Sequence, residues 1–77
     1  MPALTPTDKA LLAIYARTWQ YPGARESAVF EATGMRQWPA TQRLNELLDM
    51  EAALEFDATT VNRLRRVRDA RLRVRAS

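Results

Sequence analysis

Apolar residues recur at helical spacing through most of this chain and show no strand-like alternation, so any core it builds must be made of helices. The signal is clearest behind the run LTPTD, where Leu11, Ile14, Tyr15, Thr18 and Trp19 fall on one face. Thr5 suits the N-cap, Pro6 the first helical position, and Asp8, three residues after the cap, completes the pattern of a capping box. A first helix is therefore predicted over residues 6–20, closed by a turn at Tyr21-Pro22-Gly23.

A second helix is predicted over residues 24–33, with Ala28, Val29 and Ala32 on one side and Gly34 as its stop. Pro39 then opens a third, PATQRLNELLDM, on which Ala40, Leu44, Leu47 and Leu48 make a compact apolar stripe. Asp57 and Thr59 or Thr60 offer caps for a fourth helix starting near residue 59, with Val61, Leu64 and Val67 turned inward. The expected fold is all-α, a small four-helix domain with a helix-turn-helix-like core and an arginine-rich C-terminal helix. Residues 1–67 form the domain on this reading, and residues 68–77 a basic helical extension beyond the last regular apolar position.

Charge is distributed unevenly. Residues 1–60 hold five basic and eight acidic side chains, whereas residues 61–77 hold seven arginines and the single acid Asp69. An acidic body with a strongly basic end is the pattern of a chain that meets a polyanion with one element. Solvated helix faces normally mix signs, yet Arg68, Arg71 and Arg75 stand three and four residues apart, a spacing at which like charges weaken a helix. Phosphates that neutralise them remove that penalty, and arginine binds phosphate in a two-pronged geometry that lysine lacks. Arg63, Arg65, Arg66, Arg68, Arg71, Arg73 and Arg75 are thus the candidate phosphate contacts.

The glycine between the second and third helices gives a helix-turn-helix outline, although Phe30 stands where such motifs usually carry a small residue. The start of a recognition helix touches base edges in the major groove. The candidates there are Arg36 for guanine, Gln37 or Gln42 for adenine, and Thr41 for a phosphate or a thymine methyl. Trp38, beside Pro39, is expected to lie as a lid on the core; its alternative roles are to stack on a sugar or a base or to anchor a protein partner. Trp19 and Tyr15 are expected in the core.

Several classes are disfavoured. The chain has neither histidine nor cysteine, which removes the commonest general base, the thiol nucleophile and the thiolate metal site. Its carboxylates are scattered and its two glycines make no phosphate-cradling loop, so no enzyme activity, cofactor or metal is expected. No apolar run approaches the roughly 20 residues of a membrane span. The N-terminus lacks the basic start and apolar stretch of a signal peptide, which points to a cytoplasmic location. Double-stranded DNA is the leading partner, bound by a small regulator or nucleoid-type protein. An acidic protein surface, of a host or of the transcription machinery, is the second candidate, and an anionic membrane surface the third. With 77 residues the core is small, and a homodimer would bury more apolar surface.

The stretch TDKALLAIYARTWQYPGARESAV, the later RLNELLD, and Asp57 with the Arg63-Leu64-Arg65-Arg66 block resemble a family of small actinobacterial and actinophage proteins of unknown function. The points of likeness are Trp19, Gly23, Arg25-Glu26, Gly34, Leu44-Asn45, Asp57 and the arginine block, spread over about residues 7–68. The resemblance implies a helical, helix-turn-helix-type domain and carries no catalytic motif.

Overall fold

A computed structural model describes residues 3–76. Within them the chain forms five helices and no strand: α1 (Pro6–Ala16), α2 (Pro22–Thr33), α3 (Gln37–Leu48), α4 (Glu51–Phe56) and α5 (Ala58–Ala76). The all-α class holds, with one helix more than the sequence predicts. Helix α1 packs against α2, α3 and α5, while α5 also touches α3 and α4. Between them lie Leu11, Leu12, Ile14, Val29, Ala40, Leu44, Leu47, Leu48, Ala53 and Val61, all buried. No helix among the described residues is long and apolar enough to cross a membrane.

The capping box at the head of α1 is formed. Asp8 N–H donates to Thr5 Oγ1 at 3.0 Å, and Thr5 N–H donates to Asp8 Oδ2 at 3.1 Å. The helix stops four residues short of the predicted end because its last carbonyls find other donors. Ile14 O would accept from Thr18 N–H in a continuing helix. It accepts instead from Arg17 N–H at 3.2 Å and from the Trp19 indole Nε1–H at 2.7 Å, and Arg17 turns into extended backbone. Trp19 is consequently half-buried against the core rather than on the helical stripe, and Thr18 is exposed.

Proline shifts the next two helix starts in the same direction. Pro22 begins α2, with Tyr21 as N-cap, so Tyr21-Pro22-Gly23 opens a helix instead of closing one; a fixed φ and a missing N–H cost nothing in a first turn. Helix α3 likewise begins at Gln37, and Pro39 occupies a first-turn position whose N–H would have no helical partner anyway. Gly34, at φ 74°, takes the left-handed conformation that ends α2. Ala32 is exposed, so only Ala28 and Val29 of the predicted α2 face are covered.

Helix α4 has no counterpart in the predicted pattern. Its six residues are too few to show a period, yet Ala53 is wholly buried. Asp57 then caps α5, its Oδ1 accepting Thr60 N–H at 3.1 Å. The hydrogen bond from Thr60 holds the Asp57 carboxyl below its ordinary value. Val61 is buried and Leu64 half-buried, whereas Val67, predicted to face inward, is 44% exposed. From Asp69 to Arg75 every side chain of α5 is exposed. Residues 1, 2 and 77, which belong to the two predicted segments, lie outside the described residues.

One buried polar contact ties the start of the chain to α3. Asp8 is 2% exposed, and its carboxylate receives Arg43 Nε and Nη2, each at 2.8 Å. Arg43 also donates to Glu46 at 2.8 Å. The two-pronged bond from Arg43 pulls the Asp8 pKa down to about 2, against the upward push of burial.

Candidate nucleic-acid interface

Part of α5, from Arg63 to Arg75, forms one wall of a cleft of about 850 Å³. Its other walls come from the end of α1 and the residues just after it, from Arg25 of α2, and from α3 along its length, Gln37 to Leu48. Six arginines line the cleft, and none of its lining residues is acidic. Arg63, Arg68, Arg71 and Arg75 project from α5; Arg17 and Arg25 come from the opposite side. Leu44, Leu48, Leu64 and Leu72 make apolar parts of the lining. The spacing of Arg68, Arg71 and Arg75, unfavourable for an isolated helix, places all three on the arc that faces this cleft.

Two of the arginines are held by aromatic rings. The Arg17 guanidinium lies 4.5 Å from the centre of the Trp19 ring, and that of Arg25 lies 4.6 Å from the Tyr15 ring. Such stacking fixes a guanidinium while leaving its in-plane donors to point outward. Arg25 Nε is buried and has no hydrogen-bond partner among the described residues. It borders a small cavity of about 30 Å³ among Tyr15, Val29, Gln37 and Thr41, room for a single water.

Other arginines of α5 serve the fold. Arg63 Nη2 donates to Tyr15 O at 2.6 Å, beside the end of α1, and Arg65 Nε donates to Leu48 O at 2.6 Å, at the end of α3. Cations in these positions satisfy terminal carbonyls and oppose the negative end of the helix dipole. Arg68 pairs with Asp49 at 3.2 Å and sits 3.7 Å from Asp69. Arg66, Arg71 and Arg75 make no hydrogen bond or ion pair with any described residue.

Of the predicted base contacts, Gln37 and Thr41 line the cleft together with Trp38, so the start of α3 and the tail of α5 face the same space. Arg36 and Gln42 are exposed outside it, and the Arg36 guanidinium lies 5.1 Å from the Phe30 ring. Arg65, Arg66 and Arg73 also lie outside the cleft. Trp38 is no lid on the core: it is 69% exposed. Its place in the first turn of α3, ahead of the buried stripe that begins at Ala40, turns it outward. The sequence reading missed Arg17 and Arg25 as cleft residues. Their only local signal is the nearby ring of Trp19 in one case and the Arg25-Glu26 pair in the other.

The fold and cleft define a small all-α domain with an arginine-lined, acid-free groove. The chain belongs to the family described as protein of unknown function (DUF3263), whose model matches residues 3–76. No curated protein and no solved structure matches it.

Proposed function

We propose that this protein binds nucleic acid, in the first instance double-stranded DNA, as a small regulator or nucleoid-type protein. The observation that carries the reading is the convergence of six arginines, without one carboxylate, on a cleft that also contains Gln37 and Thr41 from the start of α3. In this reading Arg71 and Arg75 hold phosphates, with Arg63 and Arg68 beside them. Arg17 and Arg25 meet the backbone from the opposite wall. Gln37 and Thr41 approach base edges or adjacent phosphates, in the manner of a helix-turn-helix. No catalytic step, metal or cofactor belongs to this proposal.

Trp38 among arginines also has the composition of a protein–protein hot spot. An acidic protein surface, such as part of the transcription machinery, is therefore the second reading. The two separate cleanly in salt. Phosphate binding through four to six contacts gives a plot of log K against log salt with a slope between roughly −3.5 and −5.5. Fluorescence anisotropy of a labelled blunt duplex across a salt series measures it. A slope in that range supports DNA binding; absence of binding at low salt removes it and leaves the protein partner, whose affinity, anchored by Trp38, should respond far less to salt and collapse in Trp38→Ala.

A further inference from the structure

One sugar–phosphate strand can follow a cleft of about 850 Å³ with arginines on its facing walls, whether that strand is unpaired or is one backbone of a duplex. The aromatic groups around the cleft are not equivalent. Trp19 and Tyr15 already carry guanidinium groups on their rings and are half-buried. Trp38 is 69% exposed and has neither a ring contact nor a hydrogen-bond partner among the described residues. A cationic groove that follows a backbone, with an unoccupied aromatic at its edge, is the chemistry by which proteins hold unpaired strands: arginines take the phosphates and the ring takes a base face. A base inside a duplex has no free face to offer.

Building on the nucleic-acid reading, we infer that the cleft takes a single unpaired strand, alone or as an overhang beside a duplex, and that Trp38 stacks on one of its bases. Phosphate contacts from Arg71 and Arg75 are common to paired and unpaired ligands. The contact with Trp38 exists only for the unpaired one, so it sets the preference between them. Because stacking every base is open to a tryptophan, the preference is for strandedness and not for sequence.

The test compares three labelled oligonucleotides of one sequence: a single strand, a blunt duplex, and a duplex with a short overhang. Wild type should bind the single strand and the overhang roughly tenfold or more tightly than the blunt duplex, the range for one stacked base being about five- to 150-fold. Trp38→Ala should abolish that difference by weakening binding of the single strand and the overhang far more than binding of the blunt duplex; Trp38→Phe should restore most of it. Tryptophan fluorescence should be quenched by the single strand in wild type and much less in Trp38→Phe. Since Trp38 is exposed, circular dichroism of these variants should match wild type. Equal affinity for all three ligands, with Trp38→Ala indistinguishable from wild type, would overturn this inference while salt-dependent duplex binding kept the broader reading intact. No binding to any of the three would overturn both.

Discussion

Replacing Arg43 by methionine should lower the melting temperature by about 12–24 °C, corresponding to roughly 3 kcal/mol in a domain of this size. Methionine keeps the length of the stem and removes the charge. Asp8, whose side chain is 3% exposed, would then retain only the Thr5 backbone N–H as a strong donor and would be a buried charge without its partner. Breaking a buried pair from one side costs about 3–5 kcal/mol. The lower end applies because the Arg43 side chain is itself 32% exposed and some water can follow its removal. Arg43→Lys should recover part of the loss, since a point charge can satisfy one carboxylate oxygen but not both in the plane.

The same pair fixes the acid limit of the fold. The Asp8 carboxyl has a pKa of about 2 in the folded chain against an ordinary 3.8. A carboxyl whose pKa is depressed by folding contributes stability that is complete above its unfolded value and lost as pH falls through the folded one. That contribution is roughly 2 kcal/mol near neutrality. Thermal melts of wild type should therefore hold level above about pH 4 and decline from there towards pH 2. In Arg43→Met the largest cause of the low Asp8 pKa is gone, leaving the Thr5 hydrogen bonds against the upward push of burial. Asp57 still lies below its ordinary value, so the decline over this window should become shallower. A melting temperature within a few degrees of wild type for Arg43→Met would show that the contact contributes little.

Reversing the charge at Arg71 and Arg75 together should separate binding from folding. Both side chains are exposed and make no hydrogen bond or ion pair with a described residue, so the body has nothing to lose. Arg68, Arg71 and Arg75 repel one another along α5, and each like-charge neighbour at this spacing costs about 0.2–0.5 kcal/mol. Arg71→Glu/Arg75→Glu turns the contact between positions 68 and 71 into an attraction, leaves 71 and 75 as a like-charge pair and puts an acid in the last turn of α5. These small effects offset one another, and the melting temperature should change little. Affinity for an oligonucleotide should fall at least a hundredfold, because each charge-assisted hydrogen bond to phosphate contributes roughly 1.5–3 kcal/mol. The salt slope for duplex DNA should become shallower by about 1.8 for the two lost contacts. Retained affinity in the double variant would move the binding surface away from the cleft, towards Arg36 and Gln42 at the exposed side of α3.

What the sequence made legible was what neighbours in the chain decide. Thr5, Pro6 and Asp8 announce the start of α1 through bonds that span three residues, and Gly34 ends α2 through its own backbone. The stripe from Ala40 to Leu48 is buried as its spacing requires. Less was legible where one group serves two purposes. Asp8 reads as a cap, and its second partner, Arg43, lies 35 residues away. The early end of α1 depends on a tryptophan side chain reaching back for a carbonyl, which a helical period cannot foresee. Helix α4 is too short to have a period at all.

The cleft was half legible. Its α5 wall follows from the arginine run and from the failure of the apolar pattern near Val67. Its other wall does not, because Arg17 and Arg25 are isolated bases in an acidic stretch and become a cationic surface only once α1, α2 and α5 are packed. The misreading of Trp38 has a related cause. A tryptophan beside a proline is an efficient lid if the helix begins at the proline, but α3 begins two residues earlier, and the ring leaves the buried arc.

The most direct test of the cleft is a nuclear magnetic resonance titration that follows the arginine Nε–Hε signals as an oligonucleotide is added. Arg71 and Arg75 should shift most, with Arg17, Arg25, Arg63 and Arg68 moving at the same ligand concentration, while Arg43, locked on Asp8, stays where it is. The Arg25 signal is especially informative, since its Nε is buried without a partner beside the start of α3. Shifts confined to Arg36, Arg65, Arg66 and Arg73, with the six cleft arginines unmoved, would contradict the assignment of the cleft as the nucleic-acid site.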